Sequence, residues 1–326
     1  MRNEMFRYDD HMASLIFDYC RNRLSLDPVP LDFAGDKVNL DAALAGLLGP
    51  EPNSPEAVLG LFTDHLAPAV ISCDSPRFLA FIPAAPTRAS LLFDMVVSCS
   101  SLQGSSWLEA SGAIEAENQL IRLLADLAGL PPDAGGVFVS GGSAANLSAL
   151  AVARDVARRE GRAAARLSVA VSDQVHSSVR NTLRILDMAE HVVTTEGHRL
   201  DGSSLSRSLE TDGGSDVVAV VATAGTTNAG IVDDLQGVGE LARERDMWFH
   251  VDAAYGGAAL FAPEARPQFR GIELADSLVI DPHKWLFAPF DCAGLVYRRP
   301  ELAKSVHTQS ASYLDPVHSG DEWNPS

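Results

Sequence analysis

Ser277-Leu278-Val279-Ile280-Asp281-Pro282-His283-Lys284-Trp285 places a lysine just beyond a short apolar run, with a histidine beside it. An unbroken apolar run of this kind suits a strand covered on both faces. A lysine at the end of such a strand is an unusual use of a charged residue. Burial disfavours the ammonium form and leaves an amine able to attack a carbonyl carbon. Upstream, Trp248-Phe249-His250-Val251-Asp252-Ala253-Ala254-Tyr255-Gly256-Gly257 sets an aspartate at the end of a second apolar run. A carboxylate buried there without a partner would be costly. An arginine in a structural salt bridge would satisfy it, and so would a protonated ring nitrogen on a ligand.

Outward from these two segments, short apolar runs alternate with helical stripes. Strands are expected at 137–139, 167–171, 192–194, 217–222, 248–251 and 278–280. A helical stripe covers Ile114, Leu120, Ile121, Leu124 and Leu127, and Asn146 to Arg159 reads as another helix. The alternation predicts an α/β fold with a mostly parallel sheet covered by helices on both faces. Ligands of such sheets sit outside the carboxyl ends of the strands, where Asp252 and Lys284 fall. Residues 1–75 read instead as short helices broken by Pro, Gly and Asp. Met12, Leu15, Ile16 and Tyr19 keep helical spacing, Asn39-Leu40-Asp41 caps a helix to Leu48, and Ser54-Pro55-Glu56 starts another to Leu66. Their faces are too small for a core of their own, so they are expected to lie against the main body or a partner subunit.

The chain has 326 residues, 46% of them hydrophobic, with 25 Lys+Arg against 43 Asp+Glu and a formal charge of -18. That balance argues against nucleic acid or an anionic membrane as partner, since both attract a basic face. Cys20, Cys73, Cys99 and Cys292 form no CxxC pair, which predicts reduced thiols and neither a disulfide framework nor a metal site. No signal peptide is read at the start, and no apolar run is long enough to span a bilayer. A cytoplasmic protein is expected.

Three further stretches could carry chemistry. Ser140-Gly141-Gly142-Ser143-Ala144-Ala145-Asn146 joins a strand to a helix, and its free N–H groups and the Ser143 hydroxyl make a phosphate seat, although Gly-Gly before a helix is also a plain tight turn. His176 opens a helix after a strand, where its ring could stack on a planar ligand or simply be solvated. Thr223-Ala224-Gly225-Thr226-Thr227-Asn228 puts hydroxyls at a strand's carboxyl end and is equally an ordinary turn. Taken together with a strand-end lysine and aspartate, these are the parts that pyridoxal phosphate (PLP) requires: an amine for its aldehyde, an acid for its ring nitrogen and a seat for its phosphate.

Five stretches, in order, resemble the group II PLP-dependent amino acid decarboxylases, the aromatic-L-amino-acid and glutamate decarboxylase-like family. They are Ser75-Pro76-Arg77-Phe78-Leu79-Ala80-Phe81, Gly135-Gly136-Val137-Phe138-Val139-Ser140-Gly141-Gly142, Gly225-Thr226-Thr227-Asn228, His250-Val251-Asp252-Ala253-Ala254 and Asp281-Pro282-His283-Lys284-Trp285. The resemblance covers roughly residues 70–315. It implies a PLP-dependent transferase-like fold (fold type I), with a helical segment over 1–75 as a dimer contact and a PLP-binding large domain over 76–326. The implied reaction is decarboxylation of an L-amino acid to the amine and CO2 through an aldimine at Lys284 and a quinonoid.

By the same resemblance Asp252 keeps the ring nitrogen protonated, His176 stacks on one ring face and Ala254 on the other. Gly142, Ser143 and His283 bind the phosphate, and Thr223 lies near the ring. Tyr313, on a catalytic loop near 305–320, returns a proton to the α carbon, and Phe81 and Pro83 line the substrate pocket. Ala84, and Glu-Ala-Ser-Gly-Ala at 109–113, depart from the usual pattern and leave the substrate side chain open. Relatives continue into a small C-terminal domain that this sequence is expected to lack. A homodimer is implied. Alternative readings are a truncated non-catalytic PLP-binding or dimerising homologue, and a PLP-dependent aldehyde synthase or aminotransferase.

Overall fold

The computed structural model describes residues 7–82, 84–162, 165–211 and 213–308. Its contacts divide into two units, Met1–Arg88 and Ala89–Ser326. In the first, α1 (Asp10–Leu24), α2 (Lys37–Leu44) and α3 (Pro55–Leu61) each begin at a side-chain cap: Asp9, Asp36 and Ser54 accept the N–H of Met12, Asn39 and Ala57. The α2 start therefore lies ahead of Asn39, because Asp36 and not Asn39 satisfies the free N–H. A π-helical turn, Phe62–Leu66, continues α3. None of these three helices contains a fully buried residue, in keeping with faces too small for an independent core.

The second unit is helices on a sheet. After α4 (Arg88–Cys99) and α5 (Trp107–Leu127) come β1 (Gly135–Val139), α6 (Gly142–Arg159), β2 (Ser168–Ser172), α7 (Ser177–Ile185), β3 (Ala189–Val193) and α8 (Gly202–Leu209). They are followed by β4 (Val217–Thr223), α9 (Leu235–Glu244), β5 (Trp248–Asp252), β6 (Ser277–Ile280), β7 (Ala293–Tyr297) and α10 (Pro300–His307). The seven strands lie in the order β1-β7-β6-β5-β4-β2-β3. The pairs β3–β2, β2–β4, β4–β5 and β5–β6 are parallel, whereas β7 runs antiparallel to both β6 and β1. The sequence reading lacked β7 and read only the last part of β3.

The central strands are mostly apolar on both faces because each alternates between two cores. Ala170, Val220, Phe249, Val251, Leu278 and Ile280 face the side packed by α5, α8 and α9. Val169, Val171, Ala219, Val221, Trp248 and Val279 face the side packed by α6 and α7. Each such large aliphatic or aromatic side chain contributes about 1.5–3 kcal/mol on burial. The alternation fixes which side each polar residue takes: His250 and Asp252 share the parity of Trp248 and point toward α6. Among the described residues no helix is long and apolar enough to cross a membrane.

Asp233 ties the loops at the carboxyl ends of the strands together. Its buried carboxylate accepts the Leu200 N–H through Oδ1 and the Thr223 N–H through Oδ2, both at 2.7 Å. Burial pushes this carboxyl up to about 6, against the two N–H donors. A carboxyl raised above its unfolded value stabilises below the unfolded pKa, and that stability is lost as pH rises through the folded pKa. The stability difference between wild type and Asp233→Ala should therefore shrink by about 2 kcal/mol between about pH 4 and pH 7. Urea unfolding at the two pH values measures this, and a constant difference would contradict it.

Candidate active site

Lys284, Asp252, His176, Gly142, Ser143, Thr223, Ala254 and His283 all line one cavity of about 280 Å³ at the carboxyl ends of the strands. Eight of the residues singled out from the sequence thus meet in space, drawn from β4, β5, the α6 and α7 starts and the turn after β6. Phe81 lies in the first unit, exposed and with φ of 61°, its ring stacked on Phe78 at 6.4 Å. Pro83 and Tyr313 fall outside the described residues.

The turn after β6 builds the lysine's surroundings. Lys284 Nζ lies 2.9 Å from Asp281 Oδ2, and His283 Nε2 lies 3.8 Å from the same oxygen. The Asp281 side chain is 2% exposed and that of Lys284 is 20% exposed. Burial pushes the Asp281 carboxyl up, while the adjacent Lys284 ammonium pulls it down. The neighbouring aromatics Trp285 and Phe287 are each 45% exposed. Trp285 packs on Tyr255, ring centroids 4.5 Å apart. Buried His283 is anchored through Nδ1, which meets the Cys292 carbonyl at 2.7 Å and its N–H at 3.1 Å.

The turn between β1 and α6 is shaped for an anion. Gly141, at φ of 87°, is the N-cap of α6 and offers no side-chain hydrogen bond, so the first helical N–H groups stay uncapped. A Cβ on Gly142 would sit 3.0 Å from Asp281 Oδ2 and 3.3 Å from the Ala254 Cβ, so a larger residue would fill this corner. Helix N-termini of this kind attract phosphate through their N–H groups and dipole.

Asp252, at the end of β5, is 6% exposed. Its Oδ2 accepts from Asn146 Nδ2 at 3.1 Å and its Oδ1 from the Ala254 N–H at 3.2 Å. Among the described residues it forms no ion pair with an arginine or lysine, which removes the structural salt bridge as its partner. His176 is the N-cap of α7: its Nδ1 accepts from the Ser178 N–H at 3.2 Å and meets Ser178 Oγ at 2.8 Å.

Two buried polar atoms in this cavity, Thr223 Oγ1 and Asp281 Oδ1, have no hydrogen-bond partner among the described residues. Orphans of this kind are rare in folded proteins and point to a ligand that supplies the partner. Along with the uncapped α6 start and a buried carboxylate without a cation, they fit a group carrying a phosphate, a hydroxyl-bearing ring and a protonated nitrogen. The residues therefore fit pyridoxal phosphate. Sequence reasoning missed Asn146, Ser178, Asp281, Tyr255 and Phe290, which also line the cavity. Asn146 carried a signal, a lone amide inside the apolar stripe of Ala145, Ala149, Leu150 and Ala153.

Comparison with known proteins agrees with this geometry. The pyridoxal-dependent decarboxylase conserved domain matches residues 40–322. An aromatic-L-amino-acid decarboxylase of Bacillus atrophaeus is 32% identical over 317 residues, covering 95% of this chain and 65% of that protein. One from Sus scrofa is 35% identical over 290 residues, covering 82% of this chain and 58% of that protein. The chain thus spans a little under two thirds of the length of these curated relatives. The crystal structure of Oryza sativa TDC with PLP and tryptamine matches with a TM-score of 0.86 at 27% identity, covering 96% of this chain and 68% of that one. A domain match over most of the sequence, on a site built for this cofactor, makes the chain a member of the pyridoxal-dependent decarboxylase family.

Proposed function

We propose that this chain decarboxylates an L-amino acid with an aromatic side chain, releasing the amine and CO2 with pyridoxal phosphate as cofactor. The observation that carries the reading is the meeting, in one cavity, of Lys284, an Asp252 without an ion-pair partner among the described residues and the uncapped start of α6. Family membership supports the reaction class, and relatives named for aromatic substrates support the side chain. Tyr255 and Phe290 in the cavity wall suit a planar apolar group.

When bound, the cofactor supplies an electron sink for the pair left on the α carbon as CO2 departs. The remaining work belongs to the chain. Lys284 Nζ is the amine that takes the cofactor aldehyde, and Asp281 Oδ2, 2.9 Å away, is placed to receive the ammonium proton. Asp252 would hold a proton on the ring nitrogen, and His176 and Ala254 would cover the two ring faces. The N–H groups of Gly142 and Ser143, with His283, would hold the phosphate, and the unpartnered Thr223 Oγ1 is free to meet a polar atom of the cofactor. By the resemblance alone, Tyr313 would return the proton to the α carbon, and Phe81 and Pro83 would be residues of the substrate side.

The working unit in this reading is a homodimer in the cytoplasm, with residues 1–75 as dimer contact and 76–326 as the cofactor domain. Leu92, Phe93, Val96 and Val97 of α4, all more than half exposed, are an apolar face suited to a subunit contact. The test is product analysis of the purified chain with pyridoxal phosphate and each of tryptophan, tyrosine, phenylalanine and glutamate. Amine and CO2 in equal amounts from an aromatic substrate are expected. Aldehyde with ammonia would replace the reading by aldehyde synthesis. Bound cofactor with no turnover of any amino acid would replace it by a non-catalytic role.

A further inference from the structure

In the cavity wall, one amide joins two groups of the site that form no hydrogen bond with each other among the described residues. Asn146, one turn into α6 and 1% exposed, sits between β5 and α7. Its Nδ2 lies 3.1 Å from Asp252 Oδ2 and 3.0 Å from Ser178 Oγ, and its Oδ1 lies 2.8 Å from His250 Nε2. Only one orientation of the amide is sound. The Asp252 carboxylate only accepts, so the NH2 group must face it, and a flip would set two acceptors against each other.

The remaining protons follow. Asn146 Oδ1 accepts only, so His250 carries its hydrogen on Nε2. That leaves His250 Nδ1, in the neutral ring, to accept from Ser277 Oγ at 2.8 Å. Ser277 Oγ in turn accepts from Trp248 Nε1 at 2.8 Å. Burial pushes His250 down to about 4, so the ring is neutral at physiological pH, as the network demands. On the other branch, Ser178 Oγ accepts from Asn146 and directs its own hydrogen to His176 Nδ1 at 2.8 Å.

We propose that Asn146 is the positioning residue of this site: its carboxamide sets the carboxylate plane of Asp252 and, through Ser178, the ring of His176. The two groups assigned to the nitrogen and the face of the cofactor ring are thereby oriented by a single side chain. His250, Ser277 and Trp248 hold the amide from behind, so that it cannot rotate toward the cavity. The proposal rests on the cofactor reading given above for its purpose, but the coupling itself is a property of the chain alone.

The experiment combines histidine NMR of the cofactor-free chain with pyridoxal phosphate titration, for wild type, Asn146→Ala, Asn146→Asp and Ser178→Ala. In the wild type, His250 should appear as the neutral Nε2–H tautomer. Asn146→Ala should shift the His176 resonances, although Asn146 does not touch that ring, and should raise the cofactor dissociation constant about tenfold, the equivalent of one lost hydrogen bond to a charged group. It should also lower kcat more than it changes KM. Ser178→Ala should shift His176 and leave the His250 tautomer as it was. Should Asn146→Ala fail to fold, the near-isosteric Asn146→Asp carries the test, since a second carboxylate beside Asp252 should weaken cofactor binding by at least as much.

Unmoved His176 resonances, or cofactor affinity within about twofold of wild type in a variant that has merely lost stability, would overturn the proposal. If the wild-type chain binds no pyridoxal phosphate, the cofactor reading falls, and the His176 shift alone decides whether Asn146 couples the two groups.

Discussion

Lys284→Ala should abolish covalent, borohydride-fixable attachment of pyridoxal phosphate and lower turnover on the order of 10³-fold or more. The sequence makes the labelling unusually clear, because Lys37 and Lys304 are the only other lysines in the chain and both are exposed. Neither belongs to the cavity lining, so peptide mapping after reduction should find the label on one lysine in the wild type and on none in the variant. Label retained after the substitution would sink the assignment of Lys284. A second effect follows from Asp281. Without the ammonium at 2.9 Å, the largest influence opposing burial at this carboxyl is gone, and His283 at 3.8 Å is left to offset it in part. A carboxyl raised in the folded state stabilises below its unfolded pKa, and that stability is lost as pH rises through the folded value. The variant should therefore lose stability more steeply than wild type on going from mildly acidic to neutral pH. Adding Asp281→Asn should remove that slope.

Asp252→Asn should lower turnover roughly 10²- to 10³-fold while the cofactor-free chain changes in stability by about 1 kcal/mol or less. The substitution keeps shape and volume and removes the charge. One of the two donors, Asn146 Nδ2 or the Ala254 N–H, loses its acceptor, which destabilises. Relief of a buried charge that has no cation among the described residues acts in the opposite direction. A residue kept for stability would show the reverse pattern, with a large loss of folding free energy and modest loss of rate. Urea unfolding of the cofactor-free protein, paired with steady-state kinetics, separates the two, and near-wild-type turnover would remove Asp252 from the site.

The centre of this fold was legible because the strands that form it are covered on both sides. Short runs of four to seven mostly apolar residues, each ended by a polar or Gly-rich turn, leave little choice at β4, β5 and β6. The same logic failed at β7, and the reason is tertiary. A Cβ on Gly294 would come within 2.8 Å of Leu124 Cδ1, so the glycine that weakens the local strand signal is there to let α5 approach. At β3 the difficulty was exposure, since an edge strand with alternating partial burial mixes Glu190 and His191 into what would otherwise be an apolar run. The chemistry-bearing residues were legible where they stand at strand or helix ends. Asn146 stood out only as a lone amide in an apolar stripe; its role was not legible, because its three partners lie 32, 104 and 106 residues away and no local pattern reports a hydrogen bond of that span.

The antiparallel strand β7 also has a meaning in time. β1, which delivers the Gly141-Gly142 turn, touches the rest of the sheet only through β7, and β7 begins at Ala293. On a ribosome adding about 5–20 residues per second, β1 emerges many seconds before the strand that can anchor it. The strand that leads into the Gly141-Gly142 turn is thus paired late, by the last of the seven strands to be made. A nascent chain halted before Ala293 would hold Asp252 and Lys284, with α6 able to pack beside them through Asn146, while β1 still lacked the strand that fixes the other side of the turn.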